Sequence, residues 1–204
     1  MTDADDRVSL CPVTHELVDQ LVALAELDLT DEAAVEGRLR EWGWREHGEA
    51  VTGPEYADVP DTPDADHVSP LGHFVHCDGD GSFHMPFAYL YDIGGGLLDE
   101  DLWAAIPGWS SQVGAERPEF DAHFDTVMHR FIDRLGLPDY DVRQPKYVDR
   151  IVAWRLAGNV LIVGQGKEPM SYHQFEDAHI FIGSLTAENV EFPGGAAIRA
   201  LVTS

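Results

Sequence analysis

Basic residues are scarce in this chain of 204 residues: lysine and arginine together number 13, against 37 aspartates and glutamates. Only two of these bases, Lys146 and Lys167, are lysines. The formal net charge of −24 repels nucleic-acid phosphate and anionic lipid, so we expect neither a nucleic acid nor a membrane surface as partner. The acids serve either as a solubility coat or as a docking surface for a basic protein partner, and composition leaves both interpretations open.

Long apolar runs and cysteines are also few. Apolar runs such as VLIVG at 160 to 164 are far shorter than the ~20 residues that cross a bilayer. The first ten residues, MTDADDRVSL, have neither the basic nor the apolar region of a signal peptide. The two cysteines, Cys11 and Cys77, support no disulfide framework and fit a reducing compartment. We therefore expect a cytoplasmic protein.

Familiar catalytic motifs are missing as well. The chain has no GxSxG motif, and Cys11 has no basic neighbour that would activate its thiol. The GQGK stretch at 164 to 167 lacks the spacing of a phosphate-binding loop, and acids follow the glycine run at 94 to 96. We interpret both glycine stretches as turns, and we expect no catalytic residues.

The first 43 residues predict a helical hairpin. Thr14 is the expected N-cap of a first helix and Thr30 that of a second. Apolar residues recur on one stripe of each, namely Leu17, Leu21, Leu24 and Leu27 in the first and Val35, Leu39 and Trp42 in the second. We place this αα-hairpin at residues 14 to 43. The proline-rich and acid-rich segment from 48 to 70 shows no period and is predicted to be a loop.

The remainder, from 71 to 204, is predicted to form a sheet-and-helix core. Apolar alternation around an Asp-Gly pair predicts a hairpin over 71 to 93, with Pro86 at an edge or a bulge. The alternating residues expected to face the core are Phe83, Met85, Phe87, Tyr89 and Tyr91. A short helix at 97 to 106, a long helix at 119 to 135 and a meander at 148 to 185 follow. We therefore predict one α+β domain whose mainly antiparallel sheet is covered on one face by helices.

Three histidines flank the turn of the predicted hairpin, in the stretch HFVHCDGDGSFHMPF at 73 to 87. With a three-residue loop, and Gly81 in the left-handed conformation, His76 lies opposite His84 on one face. With a two-residue loop, the same two histidines project from opposite faces. Only the first register lets two imidazoles share an ion. A polar hairpin with exposed histidines and no metal explains the same residues.

A second group of candidate ligands, in SYHQFEDAH, comprises His173, Glu176 and His179. On a helix these residues would share one face, but the segment lies between two predicted strands, which favours a polar loop. If the two groups converge, zinc or another divalent transition metal is the expected ion. The candidate metal ligands are His73, His76, His84, His173 and His179.

Aromatic residues beside acidic segments predict a different kind of site. A tryptophan surrounded by charged residues is typical of the centre of a protein interface. The partner-binding candidates are Trp44, Trp103, Trp109, Asp99, Glu100 and Asp101. Tryptophans more often fill a core, so each of the three also has a purely structural interpretation.

The order of these elements resembles small uncharacterised α+β proteins of GC-rich bacteria. The resemblance rests on Gly43-Trp44, on a helix that ends at Leu135-Gly136 and Pro138, and on the strands VAWRL and VLIVGQ. Some of these proteins look like immunity proteins that neutralise a toxin, which implies a binding protein without catalytic residues. We therefore expect a non-catalytic acidic domain that binds a basic partner such as a toxin. The alternative is a metal-binding protein or metal-dependent enzyme that uses the histidines.

Overall fold

The computed structural model of the protein describes residues 7–46, 65–77, 81–91, 106–144, 149–167 and 175–184. Three helices and ten strands lie within these ranges. In chain order they are β1 (Arg7–Leu10), α1 (His15–Ala25), α2 (Glu32–Glu41), β2 (Arg45–Glu46), β3 (His67–Val68), β4 (Phe74–Cys77), β5 (Phe83–Tyr91), β6 (Ser110–Val113), α3 (Arg117–Leu135), β7 (Tyr140–Gln144), β8 (Asp149–Leu156), β9 (Asn159–Lys167) and β10 (Phe175–Ser184).

All ten strands join one antiparallel sheet in the order β2-β3-β4-β5-β10-β9-β8-β7, with β1 pairing β5 and β6. The long strand β5 is central to this arrangement. One of its edges pairs with β10, and its other edge is shared by β4 near the start and β1 near the end. The C-terminal part, β8-β9-β10, is the predicted meander. The predicted α+β class and mainly antiparallel sheet are thus confirmed.

The helices begin and end where side chains satisfy their backbone groups. The Thr14 hydroxyl accepts from the Leu17 N–H at 3.2 Å and caps α1, as predicted. The N-cap of α2 is Asp31, whose carboxylate accepts from the Ala34 N–H at 3.1 Å. The predicted cap, Thr30, is therefore wrong by one residue, because its hydroxyl donates to Asp28 instead.

The long helix α3 covers the sheet. It begins with a reciprocal pair of bonds between Glu116 and Glu119, and it ends at Gly136, whose φ of +82° suits glycine. The predicted apolar spacing is confirmed, because the buried residues of α3 are Phe120, Phe124, Val127, Met128 and Phe131. They share one core with α1, with Val35 and Leu39 of α2, and with one face of the sheet.

A bulge interrupts the pairing of β5 with β10. His179 pairs with Pro86 while Ala178 pairs with Ala88, so Phe87 is the extra residue on β5. The bulge predicted from Pro86 is confirmed. An extra residue reverses the alternation of side chains between the two faces. Phe83 and Met85 face the helices before the bulge and Ala88 and Leu90 after it, and Phe87 is buried with them.

The same reversal corrects one core prediction. Tyr89 was expected on the helix-covered face, but its ring packs with a smaller cluster, which we call the Trp109 cluster. That cluster comprises Cys11, Ala65, Val68, Phe74, Ile106 and Trp109. A third cluster, the Phe181 cluster, comprises Ile151, Ala153, Val160, Ile162 and Phe181. The side chain of Tyr91 lies outside the part that the structure describes.

Several short strands were not predicted, namely β1, β2, β3, β6 and β7. Of these, β3 falls within the segment from 48 to 70 that the sequence predicts to be a loop. The short helix predicted at 97 to 106 lies outside the described residues, apart from its last position. No helix in the described ranges is both long enough and apolar enough to cross a membrane.

The capping of α2 can be tested by substitution. We expect Asp31→Ala to lower the free energy of unfolding by about 1 kcal/mol, because it removes the carboxylate that accepts from the first turn. Thr30→Ala is the matched control and should cost less than half as much. Urea denaturation of both variants and the parent protein measures the difference. Equal losses would contradict the assignment of Asp31 as the cap.

Candidate functional site

Three polar side chains converge on the sheet face opposite the helices. Asp177 and His179 are two residues apart on β10 and therefore project from the same face. Their neighbours Ala178 and Ile180 project from the other face, into the core beneath the helices. On β5, His84 is the register partner of Phe181 and lies beside them. The pairing of β5 with β10 thus assembles a His-Asp-His group, the β5/β10 triad.

The nitrogen and oxygen atoms of the triad have separations close to those of metal ligands. His179 Nδ1 lies 3.0 Å from Asp177 Oδ2, and His84 Nε2 lies 3.8 Å from the same oxygen. One such atom from each residue lies within 4.8 Å of the other two. Ligands about 2.1 Å from a tetrahedral ion are about 3.4 Å apart. Small side-chain adjustments would therefore bring all three atoms onto one ion.

The triad is largely shielded from solvent. The side chains of Asp177 and His179 are 5% and 4% exposed, while that of His84 is 30% exposed. His84 is paired with Phe181 of the Phe181 cluster, and Asp177 is paired with Tyr89, which packs on the Trp109 cluster. The triad thus lies between two apolar clusters and reaches solvent on the His84 side.

The surroundings of His84 and Asp177 shift the pKa values of these two residues in a definite direction. Burial lowers the pKa of His84 to about 3, and the neighbouring His179 contributes in the same direction. Burial alone would raise the pKa of Asp177, but the contact and hydrogen bond with His179, together with the nearby His84, hold it below its ordinary value. At neutral pH His84 is therefore neutral and Asp177 is ionised. These are the forms that bind metal ions.

The space for the His179 ring comes from a glycine on the neighbouring strand. Gly164 pairs with His179 across β9 and β10, and a Cβ atom at Gly164 would lie 2.4 Å from His179 Nε2. Any larger residue would collide with the imidazole. This corrects the interpretation of the GQG stretch as a turn, because Gly164 lies inside β9.

His76 lies beside the triad, on the side of His84. The register places it directly opposite His84, as the three-residue loop predicted, and Gly81 has a φ of +83°. The ring centroids of His76 and His84 are 6.2 Å apart, against 5.0 Å for His84 and His179. Of the two registers that the sequence left open, the structure has the one that puts His76 and His84 on one face, and His179 lies on the far side of His84.

His73 belongs to a different environment. It is fully buried, and Ser69 Oγ accepts from the backbone N–H groups of Leu71 and His73. The Ser69 hydroxyl is therefore free to donate to His73 Nδ1, at 3.0 Å. Burial, with a smaller effect of nearby His123, lowers the pKa of His73 to about 3. The structure does not bring His73 to the triad, and His173 lies outside the described residues.

Glu176 faces away from His179. Because the segment is a strand and not a helix, residues three positions apart lie on opposite faces. The Glu176 carboxylate pairs with the guanidinium of Arg117 on α3, on the helix-covered face. Arg117 also pairs with Asp121 at 2.9 Å, and Asp121 accepts from Gln165. Asp177 is a candidate ligand that the sequence analysis did not name, and its signal in the sequence is an acid two positions before a histidine on one strand.

The aromatic partner-binding candidates in the described ranges are buried. Trp44 is 5% exposed and donates its indole N–H to Gln20 at 2.9 Å. Trp109 is 6% exposed, donates to the Gly72 carbonyl at 2.8 Å and stacks on Tyr89. These two side chains thus present little surface to a partner. Trp103, Asp99, Glu100 and Asp101 lie outside the described residues.

Neither cysteine joins the triad. Cys11 is buried, its thiol lies 3.6 Å from the Leu71 carbonyl, and burial raises its pKa far above the ordinary value. Cys77 is adjacent to His76 on β4 and packs against the core beneath the helices. The triad is therefore a group of imidazole and carboxylate ligands without a thiolate.

Comparison with known proteins adds the following findings. No protein-family model matches the chain, and the search of curated proteins finds no match. A solved structure, a DUF4309 family protein (YjgB) from Bacillus subtilis, is similar over 84% of this chain and 97% of that chain. The two share 10% sequence identity, with a TM-score of 0.29. At that distance the similarity carries no argument about the site or its function.

Acid should destabilise the protein through His73. In the unfolded chain this residue gains a proton below pH 6.5, whereas in the folded protein it stays neutral down to about pH 3. Between these values the unfolded state holds more protons, so stability falls as the pH falls. We expect the slope to be smaller in His73→Gln by up to about 1.4 kcal/mol per pH unit. Urea denaturation at pH 7, 6, 5 and 4 measures it.

The exposed residue His129 supplies the matched control. His129→Gln makes the same substitution at an exposed position, so a change of slope that both variants share would not come from the burial of His73. If His73→Gln kept the same slope as the parent protein, His73 would not be the group that resists protonation.

Proposed function

We propose that the protein binds a divalent transition metal ion through His84, Asp177 and His179. The observation that carries the proposal is the convergence of the three residues, with one ligand atom from each within 4.8 Å of the other two. Two of the three side chains are almost fully buried. Burying a carboxylate between two imidazoles is costly unless the group is paired, and an ion would satisfy all three together.

The kinds of ligand favour a particular class of ion. Calcium and magnesium prefer ligand sets made of oxygen atoms, whereas this site offers two imidazole nitrogens and one carboxylate. Zinc takes this combination readily, and other first-row transition metals take it as well. Asp177 Oδ2 and His179 Nδ1 lie 3.0 Å apart in a hydrogen bond, and an ion bound by both atoms would replace the shared proton. We therefore take zinc as the first ion to test.

Metal content and zinc titration test the proposal directly. We expect the purified, untagged protein to contain close to one transition-metal ion per chain by elemental analysis. Metal-free protein should bind zinc, and a free zinc concentration of 100 times the Kd should stabilise it by about 2.7 kcal/mol. Calorimetric titration and thermal melts with and without a chelator measure both effects.

Variants separate the site from the rest of the surface. Asp177→Asn keeps the size of the side chain but removes the charged ligand, and Gly164→Ala displaces the His179 ring. Both should weaken zinc binding strongly, whereas His129→Gln, at an exposed histidine on α3, should not. Metal-free parent protein with no affinity for zinc, or equal affinity in all three variants, would contradict the proposal.

A second candidate is suggested by the net charge of −24. We propose as the alternative a non-catalytic acidic domain that binds a basic protein in the cytoplasm, for example as an immunity protein or inhibitor of a toxin. Because Trp44 and Trp109 are buried, this proposal rests on electrostatic attraction between the acidic chain and a basic partner. Trp103 remains the predicted aromatic anchor. Acidic surfaces speed association with cationic partners over distances set by salt screening.

The salt dependence of association tests this alternative. A basic protein captured on the immobilised chain at low ionic strength should bind at a rate that falls by at least tenfold between 0.1 M and 1 M salt, because the Debye length shrinks from about 10 Å to about 3 Å. Surface plasmon resonance measures the rate constant. An association rate independent of salt would remove the electrostatic argument.

A further inference from the structure

We propose that His76 is a fourth ligand, so that the bound ion is held by His76, His84, Asp177 and His179. The inference rests on the proposed metal site and adds its coordination. Four protein ligands complete a tetrahedral shell, which is typical of structural zinc sites, whereas catalytic zinc sites keep one position open for water or substrate. The proposal thus assigns the ion a structural role.

The register of the hairpin brings His76 to the correct face. His76 and His84 are direct cross-strand partners, so their side chains leave β4 and β5 on the same side of the sheet. His179 follows on β10, next to His84. The three imidazoles therefore come from three adjacent strands, with His84 in the middle.

One of the two distances between neighbouring rings agrees with shared coordination, and the other is longer. Two imidazoles bound to one tetrahedral zinc through nitrogens at about 2.0–2.1 Å have ring centroids about 5 Å apart. The centroids of His84 and His179 are 5.0 Å apart and already meet this condition. Those of His76 and His84 are 6.2 Å apart, and His76 is not among the residues whose ligand atoms lie within 4.8 Å of one another, so the proposal requires the His76 side chain to move toward the triad when the ion binds.

His76 is partly accessible to solvent and lies at the open side of the triad, beside His84. Its side chain is half-buried, and no hydrogen bond to it is formed by the residues that the structure describes. The adjacent Cys77 cannot take its place, because its side chain packs on the opposite face. The Cys77 backbone N–H donates to the Asp66 carboxylate at 2.6 Å, which holds this end of β4 in place.

A fourth ligand on β4 would change how the sheet is held together. Among the described residues, two pairs join β4 to β5 and two more join it to β3. An ion bound by His76 and by the β10 residues would connect β4 to β10 across β5. Metal binding would then stabilise the β4 hairpin more than the rest of the sheet, and hydrogen exchange of the β4 amides would slow accordingly.

The decisive experiment counts the imidazole ligands of the zinc complex in the full chain. We expect X-ray absorption spectroscopy of the parent protein to show three imidazoles and one oxygen ligand. His76→Ala should show two imidazoles and bind zinc roughly a hundredfold more weakly, which corresponds to about 2.7 kcal/mol. His129→Gln is the surface control and should match the parent protein in both measurements.

Each outcome decides a different part of the proposal. If the parent protein binds no zinc, both the proposed metal site and the proposed role of His76 as its fourth ligand are wrong. If the parent complex has two imidazoles, or if His76→Ala binds zinc as tightly as the parent, the site exists but His76 is not a ligand. The count in the parent protein decides the matter even if His76→Ala fails to fold.

Discussion

The pairing of β5 with β10 is the interaction on which the rest of this molecule depends. It joins the N-terminal strands to the C-terminal meander, because the described strands on either side connect only through these two. On one face it places Met85 and Ile180 beneath the helices. On the other it places His84 beside Asp177 and His179. One ladder of backbone hydrogen bonds thus supports both the main core and the candidate metal site.

Three of the few positive charges connect elements of the fold: two join helix and sheet, and one joins two helices. Arg117 and Arg150 link α3 to the sheet by pairing with acids of both elements. Arg134, also on α3, pairs with Asp19 of α1 at 2.6 Å. In a chain with so large an excess of acids, these arginines offset repulsion where layers meet. The remaining acids can then lie at the surface, where water and salt screen them.

Much of the fold follows from short-range patterns. The spacing of leucines in α1 and phenylalanines in α3 predicts the helices, and the Asp-Gly pair predicts the β4-β5 hairpin, because periodicity reports which face is buried. The short strands escaped prediction for the same reason. Ser110, Ser111 and Gln112 of β6 show no apolar alternation, since this strand has little buried surface. The cap of α2 was misplaced because Thr30 and Asp31 are both good capping residues.

The candidate site could be predicted only in part. The sequence allowed two registers for the hairpin, and the one found in the structure places His76 opposite His84. Asp177 and His179 reach them through a pairing between segments far apart in the chain, which no local pattern reports. Pro86 indicates an edge or a bulge, but it does not show that Phe87 is the extra residue, and that position decides on which face Tyr89 lies. Long-range register and bulges are properties of the assembled sheet.

The contact between Gly164 and the His179 ring has a consequence for how this sequence can vary. Position 164 on β9 is a glycine, and the His179 imidazole occupies the volume that a side chain there would need. The space between the two neighbouring strands therefore holds either the His179 ring or a side chain at position 164, but not both. In proteins descended from the same ancestor, a side chain at position 164 should occur only together with a smaller residue at position 179. Replacement of His179 by a smaller residue and of Gly164 by alanine would then be a pair of compensating substitutions.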